Sequence, residues 1–213
     1  MYENELDALL PRSFEMYQFM AEHINELEPI PDLKHKLAFQ SGVLCFEHGL
    51  AMLRLVSEGL TSSGMGLMRL QYESLVRGLW FLYTDNKVWF TKLSNAKILD
   101  PIGLKKLETP MIADMLKALD QSEGPLHILA QLNEFRAVTN SSINSFTHSG
   151  LLALIGSSKG YDEKLIYDAI RNANAVAAIN IQMLSILTGM DDAIEPVRGM
   201  HCKFVDCLPT IQP

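Results

Sequence analysis

Apolar residues recur every three to four positions along each long segment of this 213-residue chain. Runs that alternate between apolar and polar residues, which are typical of half-buried strands, are missing from the sequence. A spacing near 3.6 residues places apolar side chains on one face of a helix, so this pattern predicts helices throughout. We therefore predict an all-α fold: a single-domain bundle of long antiparallel helices with short connecting helices over residues 1–213.

Turn and capping residues divide the helical pattern into segments. The candidate N-cap of the third helix is Thr61, Ser62 or Ser63, Pro11 is a candidate break in the first helix, and the run "GSSKGYD" at 156–162 is predicted to be a loop. The predicted helices cover about 5–28, 33–58, 63–83, 87–95, 110–121, 125–154, 162–187 and 192–207, with a further short piece beginning at Asp100.

Composition and charge exclude several classes of protein. Apolar residues make up 48% of the chain and the net charge is −7, so the chain is globular but carries no broad basic surface for nucleic acid. The net charge therefore does not support RNA as a partner. The least charged long run, 172–190, contains Asn172, Asn174 and Asn180, which would be costly in lipid, so no membrane span is predicted. An odd count of three cysteines indicates reduced thiols and a cytoplasmic location.

Two stretches of the chain carry no Lys, Arg, Asp or Glu: the residues between Arg136 and Lys159, and the run 172–190. A helix that is apolar or small on every side is buried, and one chain of this size has little surface with which to cover several such helices. We therefore expect a homo-oligomer, in the first instance a dimer, with a further protein as an alternative partner.

The predicted helix at 63–83 carries a charged ridge. Arg69, Glu73 and Arg77 are spaced four residues apart, so they line one side of the helix between two apolar sides. One interpretation is an exposed ion-pair ladder of small energetic value. The other is a half-buried or buried ladder whose guanidinium groups hold an anion or polar side chains. The sequence leaves both open.

A second polar face follows on the helix at 125–154. Arg136, Asn140, Asn144 and His148 recur every four residues along the flank of an apolar stripe. Asparagine and serine are poor helix formers, so their use here favours a close-packed surface where each group has a partner. We predict that Asn140, Asn144 and His148 meet the charged ridge inside the bundle, because amides and a neutral imidazole can pair with guanidinium and carboxylate groups.

His48 lies opposite the polar stripe of its helix and is predicted to point inward. The simpler interpretation is a core histidine with a structural hydrogen bond; the alternative is a pocket lined by His48, Arg69 and Asn144. His201, Cys202 and Cys207 lie close together, but they lack the paired cysteines of a zinc site. We predict no metal site and no cofactor.

The segments "RLQYESLVRGLWFL" and "NSSINSFTHSG" together resemble uncharacterised bacterial helical proteins that are similar in outline to the HEPN group (higher eukaryotes and prokaryotes nucleotide-binding). This resemblance implies a helical bundle, commonly dimeric, and for many members a metal-independent RNase of toxin–antitoxin or phage-defence systems. The HEPN mark is an Arg followed within the same helix by a His. Arg171-Asn172 matches its opening, but Val176 and Ala177 occupy the positions of the His. The resemblance therefore transfers no catalytic role.

Three functions remain open from the sequence. The first is a binding or regulatory module, as a component of a toxin–antitoxin or phage-defence system. The second is an RNase with a rearranged site, in which His148 is the general acid or base and Arg69 and Glu73 are further catalytic candidates. The third is a small-molecule pocket between helices.

Overall fold

The computed structural model describes residues 2–95 and 109–209, and these residues form helices joined by short turns, with no strand among them. The prediction of an all-α fold is confirmed. Two 3₁₀ turns, Asp191–Ala193 and Val205–Cys207, flank the last helix. The α-helices are α1 Tyr2–Asn25, α2 Leu33–Ser57, α3 Thr61–Tyr83, α4 Lys87–Asn95, α5 Ile112–Asp120, α6 Leu126–Thr147, α7 Leu151–Lys159, α8 Glu163–Ile186 and α9 Glu195–Lys203.

Helix α3 lies at the centre of the structure. Helices α2 and α3 form an antiparallel hairpin, because only three residues separate them, and α8 packs against both. Helix α1 packs against α8 and α2, while α5 and α6 pack on the remaining side of α3. Helix α3 is therefore buried on one side by α2 and α8 and faces α5 and α6 on the other.

Small residues allow the close approach of α8 to its neighbours. Ala173, Ala177 and Ala178 are at most 3% exposed, and Asn180 donates from Nδ2 to the carbonyl oxygen of Gly42 on α2 at 2.9 Å. The polar stripe predicted for α2 consists of Gln40, Glu47, Arg54 and Glu58, and all four residues are exposed. The apolar pattern therefore identified the buried and exposed faces of this helix correctly.

The uncharged run 172–190, most of which lies on α8, does not require a second subunit. Its apolar and small residues are covered by α1, α2 and α3 of the same chain, so the argument that this helix must meet another copy was wrong. The physical reason is that α8 is surrounded on several sides by long helices, whereas the sequence argument assumed that a single chain could not supply them. The homo-oligomer itself stays a prediction.

Two predicted boundaries in the first half of the chain were wrong. Helix α1 continues through Pro11, which is exposed, so the carbonyl group that loses its helical partner can be hydrated. Helix α3 begins at Thr61, and its N-cap is Leu60, which makes no side-chain capping bond. The candidate caps Thr61, Ser62 and Ser63 instead form the first turn. The piece that we predicted to begin at Asp100 lies outside the described residues.

The predicted helix at 125–154 is two helices. The chain turns at Ser149, whose φ of 51° is left-handed, and the amide of Gly150 donates to the carbonyl oxygen of Ser145 at 2.6 Å. Ser145 Oγ also accepts from the amide of Leu152 at 3.1 Å, at the start of α7. Helix α7 then extends to Lys159, so the first four residues of the predicted loop at 156–162 are helical, and the chain turns at Gly160 with a φ of 88°.

Candidate functional site

The helices α3 and α6 and the segment leading into α5 enclose a cleft of about 400 Å³. This volume lies within the range of about 300–1,000 Å³ that is usual for small-molecule sites. The lining combines charged, neutral polar and apolar side chains. Its residues are Arg69, Tyr72, Glu73, Arg77, Thr109, Pro110, Met111, Ile112, Ala113, Phe135, Arg136, Thr139, Ile143 and Asn144.

Arg69 connects the two walls of this cleft. Its Nε donates to Glu73 Oε1 at 2.7 Å, one turn further along α3, and its Nη1 donates to Asn144 Oδ1 of α6 at 2.8 Å. The same Nη1 lies 3.2 Å from His148 Nε2. Since a guanidinium group can only donate, His148 Nε2 accepts in this arrangement, and the ring proton is on Nδ1. The predicted contact between the two polar faces is therefore confirmed for Asn144 and His148.

The charged ridge of α3 is half-buried and is not a continuous ladder. The side chains of Arg69 and Glu73 are 35% and 24% exposed, which lies between the surface and core cases that the sequence left open. Arg77 does not pair with Glu73; its Nη1 donates to Thr109 Oγ1 on the segment before α5. The reason is that α5 approaches the C-terminal half of α3 and offers Arg77 an alternative acceptor.

The cleft carries an excess of positive charge. Arg69, Arg77 and Arg136 line it, while Glu73 is the only carboxylate among the lining residues. Three guanidinium groups and one carboxylate leave two positive charges, although the whole chain has a net charge of −7. Arg136 is exposed and forms no hydrogen bond or ion pair within the described residues, so its guanidinium group is available to a ligand.

The apolar part of the lining is built around two stacked rings. Tyr72 of α3 and Phe135 of α6 lie with centroids 5.0 Å apart and an interplanar angle of 17°. Burial raises the pKa of Tyr72 to about 12, an effect that the nearby Arg136 partly opposes. Tyr72 therefore stays a neutral donor, and its hydroxyl bonds the carbonyl oxygen of Leu132 at 3.3 Å. Met111 contributes an apolar side chain that is 75% exposed.

The end of α6 explains the position of His148. This residue is the C-cap of the helix, and its amide donates to the carbonyl oxygen of Asn144 at 3.0 Å. The left-handed Ser149 then turns the chain away, so the imidazole lies at the end of α6 and is exposed, next to Arg69. His148 contacts Arg69 but does not itself line the cleft.

The structure brings together most of the residues singled out from the sequence, but not all. Arg69, Glu73, Asn144 and His148 form one connected group, and Arg77 lines the same cleft. Whether they bind a ligand stays a prediction. The side chain of Asn140 lies outside the described residues.

His48 was wrongly placed in a pocket with Arg69 and Asn144. It is half-buried on α2, makes no hydrogen bond in the described part of the chain and does not line the cleft. The reason is that α2 and α6 pack on different sides of α3. The expected structural hydrogen bond of a core histidine is also not formed within that part of the chain.

Sequence reasoning did not select several residues of the cleft as site residues. Arg136 had a signal, because it lies eight residues before Asn144 and therefore on the same side of α6. Thr109 and Met111 had none, since they precede α5 and reach the cleft only through tertiary packing. Phe135 was assigned to the apolar stripe of its helix, which is correct, but the exposure of that stripe to a cleft could not be read from spacing.

Three further properties bear on what the protein can bind. In the ranges 2–95 and 109–209, no three His, Cys, Asp or Glu side chains converge in a way that could hold a metal ion. None of the described helices is long and apolar enough to cross a membrane. Among the three cysteines, Cys45 and Cys207 are buried and Cys202 is exposed, and none is in a disulfide.

The fold and the cleft define the protein as an all-α bundle with a cationic, partly apolar cleft between two of its helices. The chain belongs to a family of unknown function, DUF6988, whose model matches residues 42–210. The match extends from α2 to the end of the described chain and includes every residue of the cleft. Comparison with curated proteins and with solved structures finds no match.

Proposed function

We propose that this protein is a binding module whose cleft between α3 and α6 takes a small anionic ligand. The observation that carries this proposal is the presence, among the described residues, of three guanidinium groups and a single carboxylate around one cavity of about 400 Å³. Guanidinium groups are the preferred partners of carboxylate and phosphate because their planar set of N–H donors matches the oxygens of these anions. This local excess of positive charge contrasts with the overall net charge of −7 of the chain.

The arginines that line the cleft are partly held before any ligand arrives. Arg69 is oriented by Glu73 and Asn144, and Arg77 by Thr109. A side chain that is already ordered loses less conformational entropy when it binds, so these contacts favour affinity. Arg136 has no such support within the described residues and would become ordered on binding.

Inorganic phosphate is expected to stabilise the protein against heat. At a phosphate concentration ten times the dissociation constant, linkage gives about 1.4 kcal/mol of stabilisation. For a chain of this length, that corresponds to a rise in the melting temperature of roughly 3–6 °C. Differential scanning fluorimetry in sodium phosphate and in sodium chloride at equal ionic strength measures this effect, since chloride reports the general influence of salt.

Two substitutions distinguish binding in the cleft from non-specific binding of anions. Arg136→Gln should remove most of the rise, because it deletes an exposed cationic group of the cleft. Arg198→Gln is the matched control: it deletes the same charge from an exposed residue of α9, which pairs with Glu195 at the surface. Equal rises for both variants and the parent protein would place the anion elsewhere and contradict the proposal.

A metal-independent RNase with a rearranged site is the second candidate function, and the contact between Arg69 and His148 is the observation that favours it. A guanidinium group and an imidazole within 3.2 Å of each other can act on one phosphodiester, the imidazole as general acid or base and the guanidinium as the stabiliser of the developing charge. The exposure of His148 gives a polymer access to it. The net charge of −7 opposes broad binding of RNA.

Incubation with total RNA tests this second candidate directly. A nuclease of this type should cleave RNA in EDTA, and His148→Ala should lower the rate by about 100-fold or more, as is usual for the loss of a general acid or base. His127→Ala is a matched control, because His127 is an exposed histidine near the other end of the same helix. Intact RNA at a large excess of protein, with and without added divalent metals, would exclude this candidate.

The wider setting of the module is a proposal of the same kind. A regulatory role in a toxin–antitoxin or phage-defence system rests on the sequence resemblance alone.

Homo-oligomerisation is supported by α7, where Leu151, Leu154 and Ile155 are each more than half exposed. Exposed apolar residues that lie close together often mark an interface between proteins. Light scattering would measure whether the mass in solution exceeds the 23.9 kDa of one chain.

A further inference from the structure

The charges of the cleft divide into a neutral pair and two cations. Arg69 and Glu73 neutralise each other through the 2.7 Å bond between Nε and Oε1. Arg77 bonds only the neutral hydroxyl of Thr109, and Arg136 bonds nothing within the described residues. Among the described lining residues, the charge left for a ligand to balance is therefore that of Arg77 and Arg136, which together favour a dianion.

The remaining lining leaves space for an apolar group and offers it little polar contact. Phe135 is half-buried, and it lines the cleft together with Pro110, Met111 and Ile112 on the segment that leads into α5. Met111 is 75% exposed, so a ligand in the cleft could cover a flexible apolar side chain that the protein leaves in water. Methionine adapts its shape to irregular partners, and it makes favourable contacts with aromatic rings.

We infer that the ligand is a phosphomonoester dianion that carries an apolar body. This inference rests on the proposed function and narrows it. The two charges are assigned to a single group because much of the lining is apolar, and a second anionic end against it would be poorly solvated. A phosphomonoester has a second pKa near 6 and is close to doubly charged at neutral pH.

Three probes that differ in charge or in the ring separate the two parts of this inference. Phenyl phosphate has both the dianion and the ring, phenyl sulfate has the ring but a single charge, and methyl phosphate has the dianion without the ring. At pH 7.5, calorimetric titration should show phenyl phosphate binding at least about tenfold more tightly than either of the others, where tenfold corresponds to about 1.4 kcal/mol. At pH 5, where the phosphate is mostly a monoanion, its advantage over the sulfate should largely disappear.

Substitutions assign each preference to a part of the cleft. Arg136→Gln should remove most of the preference for phosphate over sulfate, while Arg198→Gln should preserve it. Met111→Ser should reduce the preference for the phenyl over the methyl ester and leave the preference for phosphate unchanged. Met111 and Arg136 are exposed, so neither substitution should prevent folding.

The outcomes distinguish failure of this inference from failure of the proposed function. Equal affinity for phenyl phosphate and phenyl sulfate, both dependent on Arg136, would overturn the dianion while an anion-binding cleft remained. Equal affinity for phenyl and methyl phosphate would overturn the apolar body. Binding of none of the probes or of inorganic phosphate, by a protein whose far-ultraviolet circular dichroism shows a folded helical chain, would overturn both proposals.

Discussion

Gly49→Ala is expected to destabilise the protein by about 2–3 kcal/mol, although it adds a single methyl group. Gly49 is buried on α2, and a Cβ there would lie in steric overlap with Tyr17 Oη and 2.5 Å from Gln71 Nε2. These two side chains are 1% and 0% exposed, so neither can move into solvent. Displacing them would also disturb the bonds that Gln71 Nε2 donates to Tyr17 Oη at 3.2 Å and to the carbonyl oxygen of Ala173 at 2.9 Å.

Denaturation in guanidinium chloride would measure this loss in the free energy of unfolding. Gly199→Ala is the matched control, because Gly199 is an exposed residue of α9 and a Cβ there would meet nothing within 4 Å. Alanine favours a helix over glycine by about 1 kcal/mol, so the control should be slightly more stable than the parent protein. A Gly49→Ala protein as stable as Gly199→Ala would show that the contact of α1, α2 and α3 at this level is loose.

Arg69→Met is expected to reduce the free energy of unfolding by about 1–3 kcal/mol. This range lies between the values of about 0–1 kcal/mol for an exposed ion pair and about 3–5 kcal/mol for removal of one partner from a buried pair. The half-exposed geometry of Arg69 and Glu73 requires such an intermediate value. The same partial exposure sets the expected cost of Glu73→Ala at about 1–2 kcal/mol, below the roughly 3–5 kcal/mol that full burial would imply.

A double-mutant cycle tests whether Arg69 connects α3 to α6. Arg69→Met and Asn144→Ala should be non-additive, with a coupling energy of about 0.5–1.5 kcal/mol, because each substitution removes the same bond between Nη1 and Oδ1. Arg198→Met supplies the comparison, since its partner Glu195 is 76% exposed and the pair should contribute little. Strictly additive losses would mean that the two walls of the cleft are held together by apolar packing alone.

The residues of the cleft show which contacts could be predicted from the sequence and which could not. Arg69 and Glu73 are four residues apart on one helix, so their contact follows from helical geometry and was available from the sequence. The contact between Arg69 and Asn144 joins residues 75 positions apart, and it was predicted only because each face needed polar partners. The inward direction of His48 suggested a pocket shared with Arg69 and Asn144, but His48 does not line the cleft. The need for a partner indicates that a partner exists but does not identify the helix that supplies it.

Local signals were less reliable at the ends of helices than along them. Pro11 suggested a break, and three hydroxyl residues suggested a cap, yet α1 continues and α3 begins without a side-chain cap. Such signals contribute about 1 kcal/mol for a cap and several for an internal proline. Burial of the apolar face of a helix of more than 20 residues contributes much more, so tertiary packing decides where the helix begins and whether it continues.

The sequence by itself determined the helical class, the approximate extent of the long helices and the faces that carry charge, because each of these depends on the 3.6-residue period of one helix. Apart from the meeting of the polar faces of α3 and α6, only the tertiary structure decided which faces meet. It covered α8 within a single chain, turned Arg77 toward Thr109 and opened a cleft between α3 and α6 in which Arg136 joins the other two arginines. These outcomes depend on how helices distant in the chain pack together, and helix packing permits several arrangements for the same apolar stripes.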